Sequence, residues 1–163
     1  MIDKKIEAYK MVSLLILYHS QEYGNTEAMA KAVAEGGKKS GAKVTLVNTN
    51  DTRLDIEDFR KFDAVAFGSP DYWGYIAGGL KLFVDDFYIV RKDNQKGLYD
   101  KPYGLFYSHG GGGSVRGPFE ELFKRMKIGS KIGETIESYG SPTNNVLAEC
   151  RELGQQLVDI TKK

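Results

Sequence analysis

A single cysteine, Cys150, in 163 residues rules out an intrachain disulfide. With the two histidines, His19 and His109, it forms none of the spacings that hold zinc. There is no secretory leader and no run of 18 apolar residues, so the expectation is a soluble, cytoplasmic protein without membrane insertion. Neither sign of charge dominates: 23 Lys and Arg face 22 Asp and Glu, interleaved rather than blocked, for a net +1. That balance gives no electrostatic reason to expect nucleic acid or a lipid surface. No internal repeat, linker or low-complexity tract breaks the chain apart from four glycines at 110–113. The length suits one domain, 1–163, able to bury roughly 70% of the surface exposed when unfolded, with residues 1–11 as a polar N-terminal extension.

Periodicity supplies the elements. "MVSLLILY" is too continuously apolar for a strand with one wet face and reads as a buried strand. A helix follows from Glu27 to Lys39, where Met29 and Val33 recur among alanines small enough to let it lie close to a sheet. "KVTLVN" and "DAVAFG" are the second and third strands, with "DTRLDIEDFRKF" as a turn or short helix between them. Ile76, Leu80, Phe83, Val84 and Phe87 mark a helix from Gly74 or Tyr75 to about Tyr88. "PYGLFYS" is the fourth strand, with Pro102 at its first position, where a missing N–H is tolerated. Phe119, Leu122, Phe123 and Met126 mark another helix, "KIGETIESYG" a fifth strand, and Val146, Cys150, Leu153 and Leu157 a final helix that buries the thiol. Five strands alternating with helices make an α/β fold: a parallel sheet covered on both faces.

Ligands on such sheets bind beyond the carboxyl ends of the strands. Three segments fall there and are predicted to converge. "HSQEYGNT" offers Ser20, Asn25 and Thr26 side chains and helix-start N–H groups, either as an anion cradle or as plain helix caps. It lacks GxxxxGK[ST] and GxGxxG, so nucleoside triphosphate hydrolysis and a dinucleotide fingerprint fit poorly. His19 reads as a bystander. "SPDYWGY" places Tyr72 and Trp73 beside Gly74, either to stack on a planar heterocycle or to pack on the protein's own helix; Asp71 is expected to cap the next helix. "SHGGGGS" is either a flexible surface loop or backbone that approaches a ligand's polar edge. One phosphate cradle, one aromatic plate and one rim of N–H groups together describe a mononucleotide with a large flat ring.

"LLILYHSQEYGNTEAMAKAVAEG", "VAFGSPDYWG" and "YSHGGGG" resemble the first, second and third flavin loops of the flavodoxin-like family. The resemblance runs over about residues 12–160, with one extra residue in the first turn. It implies a three-layer sandwich with strand order 2-1-3-4-5 and FMN as cofactor. By position it assigns the phosphate to Ser20, Gln21, Glu22, Tyr23, Gly24, Asn25 and Thr26. The isoalloxazine ring falls to Ser69, Pro70, Asp71, Tyr72, Trp73 and Gly74, and its pyrimidine edge to Ser108, His109, Gly110, Gly111, Gly112 and Gly113. Glu22 must then turn its carboxylate outward, and Arg116 is close enough to favour a negative reduced ring. The fifth strand carries no long insertion, as in short-chain members. No catalytic side chain and no metal are implied, since the cofactor carries the redox chemistry. The resemblance implies electron transfer with a redox protein partner or, alternatively, with NAD(P)H and quinone or flavin in an enzyme completed by homo-oligomers. A third reading is an interaction module without FMN.

Overall fold

Leu14, Leu15, Ile16 and Leu17 are all fully buried, which requires protein on both faces of the strand that carries them. A computed structural model describes residues 10–163; the N-terminal extension expected over 1–11 lies outside the described residues except for Lys10 and Met11. The elements follow in strict alternation: β1 (Ser13–Tyr18), α1 (Asn25–Lys39), β2 (Lys43–Asn48), α2 (Ile56–Phe59), β3 (Ala64–Pro70), α3 (Gly78–Val90), β4 (Tyr103–His109), α4 (Arg116–Met126), β5 (Ile136–Tyr139) and α5 (Asn144–Lys162). The five strands form one sheet in the order β2-β1-β3-β4-β5, parallel throughout.

The period of two divides the core. Leu15, Leu17, Val65, Phe67, Leu105 and Tyr107 face α2, α3 and α4. Leu14, Ile16, Ala64, Ala66 and Phe106 face α1 and α5. Each fully buried aliphatic or aromatic side chain contributes about 1.5–3 kcal/mol. The two helical layers differ in closeness. A Cβ on Gly36 would fall 1.8 Å from the Arg151 carbonyl oxygen, and one on Gly154 would fall 2.1 Å from that of Val33, so α1 and α5 touch backbone to backbone. On the other face the backbones of α3 and α4 stay farther apart, and their large side chains share one core cluster.

The boundaries of the third helix and the fifth strand depart most from periodicity. The third helix begins at Gly78, not at Gly74 or Tyr75. Tyr72 and Tyr75 exchange backbone hydrogen bonds of 3.0 and 3.1 Å, so residues up to 75 belong to a tight hairpin. The fifth strand occupies only Ile136–Tyr139 of "KIGETIESYG", because Gly133 turns the chain at φ +67° and Lys131 makes only an isolated bridge to Tyr103.

Candidate functional site

The strand order reverses between β1 and β3, and the loops after β1, β3 and β4 rise from adjacent strands. Beyond β1, Ser20 is bracketed by Asn48: the Ser20 N–H donates to Asn48 Oδ1 at 3.0 Å and Asn48 Nδ2 donates to the Ser20 carbonyl at 2.8 Å. His19 is buried, with Nδ1 2.9 Å from Thr49 Oγ1 and Nε2 2.6 Å from Gln21 Oε1. It therefore braces the loop rather than standing idle. Gly24, at φ +76°, occupies the cap position of α1, where no side chain caps the helix. The capping reading of Ser20, Asn25 and Thr26 is thereby corrected: the first N–H groups of the helix lack side-chain partners, and Thr26 Oγ1 instead lies 2.8 Å from Ser108 Oγ. Glu22 is exposed; its carboxylate, by hydrogen bonding and repulsion, pushes the Tyr23 hydroxyl up.

The second loop is a two-residue hairpin with Trp73 at φ +58° and Gly74 at φ +74°, the backbone of a mirror-image type I′ turn. Asp71 does not cap the helix that follows. Its Oδ1 accepts from the Gly74 N–H at 2.7 Å and its Oδ2 from the Val115 N–H at 3.1 Å, binding this loop to the start of α4. The work at α3 falls to Ser69, whose Oγ accepts from the Ala77 N–H at 2.9 Å. The Asp71 N–H donates to the Ser108 carbonyl at 2.8 Å, and Gly74 lies close against Ser114. The second and third loops are thus one braced unit.

Beneath the third loop, His109 Nε2 lies 2.5 Å from Glu137 Oε1. The Glu137 carboxylate is the partner that Nε2 faces, and among the described residues the buried Nδ1 has none. Gly113, at φ +61°, rests directly on this pair: a Cβ there would come 2.7 Å from Glu137 Oε1. Burial, then the Glu137 carboxylate, pushes the Tyr107 hydroxyl up, and Arg116 works against it. Arg116 is held by Glu120 at 3.1 Å and Glu134 at 3.3 Å.

These loops enclose a cavity of about 370 Å³ lined by Ser20, Gln21, Glu22, Tyr23, Gly24, Asn25, Thr26, Pro70, Asp71, Tyr72, Ser108, His109, Gly110 and Gly140. Of the residues marked in the sequence, Ser69, Trp73, Gly74, Gly111, Gly112 and Gly113 do not line it. Trp73 is fully exposed at the hairpin tip, because its left-handed backbone carries the ring away from the wall that Tyr72 forms. Tyr72 packs edge-on against His19 with ring centroids 6.1 Å apart. Sequence reasoning missed Gly140, although it follows the carboxyl end of β5, and it missed the Asn48 bracket and Glu137. A larger cavity of about 650 Å³ lies between α3 and α4, near their carboxyl ends. It is remote from all three loops, so their convergence, not size, marks the candidate site.

Comparison with known proteins agrees with this architecture. The family model described as flavodoxin matches residues 16–154. A NAD(P)H dehydrogenase (quinone) of Caulobacter vibrioides is 33% identical over 93 residues, covering 46% of this chain and 46% of that protein, about half of each. A NAD(P)H dehydrogenase (quinone) of Archaeoglobus fulgidus is 27% identical over 94% of this chain and 99% of its own. That alignment extends over 197 positions, more than this chain contains, so the relative carries segments absent here. The solved structure of a flavodoxin from the domain Archaea superposes with a TM-score of 0.78 at 22% identity, covering 93% of this chain and all of that one.

Proposed function

This chain belongs to the flavodoxin family, and from that premise we propose that its three carboxyl-end loops hold FMN and that the protein transfers electrons through it. The observation that carries the reading is the single cavity of about 370 Å³ in which the uncapped start of α1, the Tyr72 ring and the Ser108–Gly110 segment meet. Its volume lies within the roughly 300–1,000 Å³ typical of ligand pockets. Its donors suit the group: a helix start without a side-chain cap favours a phosphate, Tyr72 offers an apolar face, and the backbone of Ser108 to Gly110 with the His109 ring offers a polar edge. When bound, FMN accepts and passes on electrons singly or in pairs.

The chain's own residues set the conditions. Ser20, Thr26 and the N–H groups at Gly24 to Thr26 would hold the phosphate, and Glu22, which lines the same cavity beside Tyr23, would have to turn its carboxylate outward. Tyr72 would exclude water from one face of the ring. Backbone N–H groups at Gly110 would favour negative charge on the bound ring and the Glu137 carboxylate beneath the loop would oppose it, so these residues would tune the potential. Ser69, Gly74 and Gly113 act by holding the loops in place.

Two relatives named NAD(P)H dehydrogenase (quinone) favour a second reading, in which NAD(P)H reduces the flavin and a quinone reoxidises it. One experiment separates the two. The purified protein, titrated with FMN and examined by visible absorbance, is mixed anaerobically with NADH or NADPH and then with a quinone. Slow bleaching by both nicotinamides, with ready reduction by a low-potential donor, supports the carrier; fast bleaching reversed by quinone supports the reductase. A protein that binds neither FMN nor riboflavin overturns both.

A further inference from the structure

The 650 Å³ cavity between α3 and α4 arises from packing. Glycines let α1 and α5 meet backbone to backbone on one face of the sheet. On the other face α3 and α4 are farther apart, and a gap lined by their large side chains remains between them. Its floor and walls are Val84, Phe87, Leu122, Met126 and Tyr99.

The rim is chemically one-sided. Arg91, Arg125 and Lys127 line it, and no carboxylate does. Arg125 is engaged outward, its Nε donating to Glu121 Oε1 at 3.0 Å. The Arg91 guanidinium and the Lys92 ammonium lie 4.4 and 4.5 Å over the Tyr88 ring. No acidic group pairs with Arg91 or Lys127 among the described residues. Both helices end here, at Val90 and Met126, and two helix carboxyl ends together carry the equivalent of about one negative charge. With Glu121 answering Arg125, that charge neutralises only one of Arg91 and Lys127. The groove keeps an unanswered positive charge above an apolar floor, whereas a surface evolved only to complement helix dipoles would need neither the depth nor the excess.

We propose that this groove binds a small amphipathic anion, an aromatic or medium-chain aliphatic carboxylate, with its apolar body on Phe87, Leu122 and Met126 and its head between Arg91 and Lys127. The volume falls in the range of roughly 300–1,000 Å³ found for small-molecule sites. A neutral molecule of the same shape would gain the floor but not the rim, so selectivity for the acid over the alcohol is the signature. The site is independent of the three-loop cavity at the other end of the strands.

Decanoate and decan-1-ol are the probes, each titrated into the isolated protein in competition with 1-anilinonaphthalene-8-sulfonate fluorescence. Amide chemical shifts are followed in parallel on the unaltered protein. Decanoate is expected to bind about tenfold or more tighter than the alcohol, the scale of one charge-assisted hydrogen bond, with shifts confined to the second halves of α3 and α4. Replacing Arg91→Gln together with Lys127→Asn, the latter a residue that tolerates the left-handed backbone at φ +56°, should abolish the preference while leaving alcohol binding unchanged. Leu122→Trp, with its fold checked by thermal denaturation, should weaken both probes. Equal affinity for acid and alcohol, shifts centred on the three loops, or unchanged selectivity in the double variant overturns the proposal. So does binding of an acidic peptide without saturable decanoate binding, which would assign the groove to a protein partner.

Discussion

Thr26 Oγ1 and Ser108 Oγ lie 2.8 Å apart and buried, although 82 residues separate them along the chain. This contact ties the first turn of α1 to the end of β4, and both residues line the candidate cavity. Replacing Thr26 by Ala strands the Ser108 hydroxyl. The cofactor-free protein should lose about 1–3 kcal/mol of stability, the cost of leaving a buried polar group without its partner. If Thr26 also meets the phosphate, FMN affinity should fall by about 1.5–3 kcal/mol more than riboflavin affinity. Thr26→Ser should restore most of both. Denaturation of the cofactor-free protein beside the two titrations separates the effects, and equal losses for FMN and riboflavin would exclude a phosphate role.

Tyr72 and Trp73 are neighbours with opposite surroundings, one in the cavity wall and the other wholly in solvent. Tyr72→Leu is expected to cost about 0.5–1.5 kcal/mol of flavin affinity beyond area burial, while Trp73→Leu leaves affinity nearly unchanged. Trp73→Asn should stabilise the protein, because a bulky side chain in the left-handed region costs roughly 1–2 kcal/mol and Asn tolerates it. Chemical denaturation measures the second effect, and a destabilised W73N would contradict the strain.

The four glycines at 110–113 are not equivalent. A Cβ at Gly110 or Gly111 meets nothing within 4 Å, so an alanine at either should change stability by less than about 0.5 kcal/mol. Gly113→Ala combines φ +61° with a Cβ 2.7 Å from Glu137 Oε1 and should cost on the order of 1–3 kcal/mol. Thermal melts of the three variants test the ranking. A neutral G113A would show that the loop does not rest on the His109–Glu137 pair.

Burial pushes the Cys150 thiol up to about 12, and burial with the Glu27 carboxylate raises the Tyr18 hydroxyl to about 12. Both groups are neutral in the fold, and both pKa values are raised above the ordinary 9.0 and 10.0. Their stability contribution is therefore complete below those ordinary values and is lost as pH rises toward 12. Cys150 steepens the fall by up to about 1.4 kcal/mol per pH unit within its window, and Tyr18 acts in the same direction with a smaller, solvent-screened effect. Denaturation midpoints from pH 8 to 11 should be level and then decline. A thiol reagent at pH 8 should label native Cys150 slowly and unfolded protein quickly; rapid native labelling would sink the assignment.

Some of this protein was decided along the chain itself. The runs "SLLIL" and "AVAFG" require cover on both faces, and the helices between them require parallel neighbours, because period and crossover length are local properties. The rim that carries the loops follows from the same alternation, which is why the placement of Ser20 to Thr26, Tyr72, Ser108 and His109 at that rim is legible in the chain. Side-chain direction was not. Trp73 and Tyr72 are equivalent as composition, and only the hairpin, with two consecutive residues at positive φ, turns one ring to the cavity and the other to solvent. Asp71 has a helix-capping side chain, yet its nearest unsatisfied N–H groups come from Gly74 and from Val115 on a different element. Glu137 is legible only as a strand residue until β5 pairs with β4 and sets it against His109. These contacts depend on distances between segments far apart in sequence, which packing of the sheet and its loops alone determines.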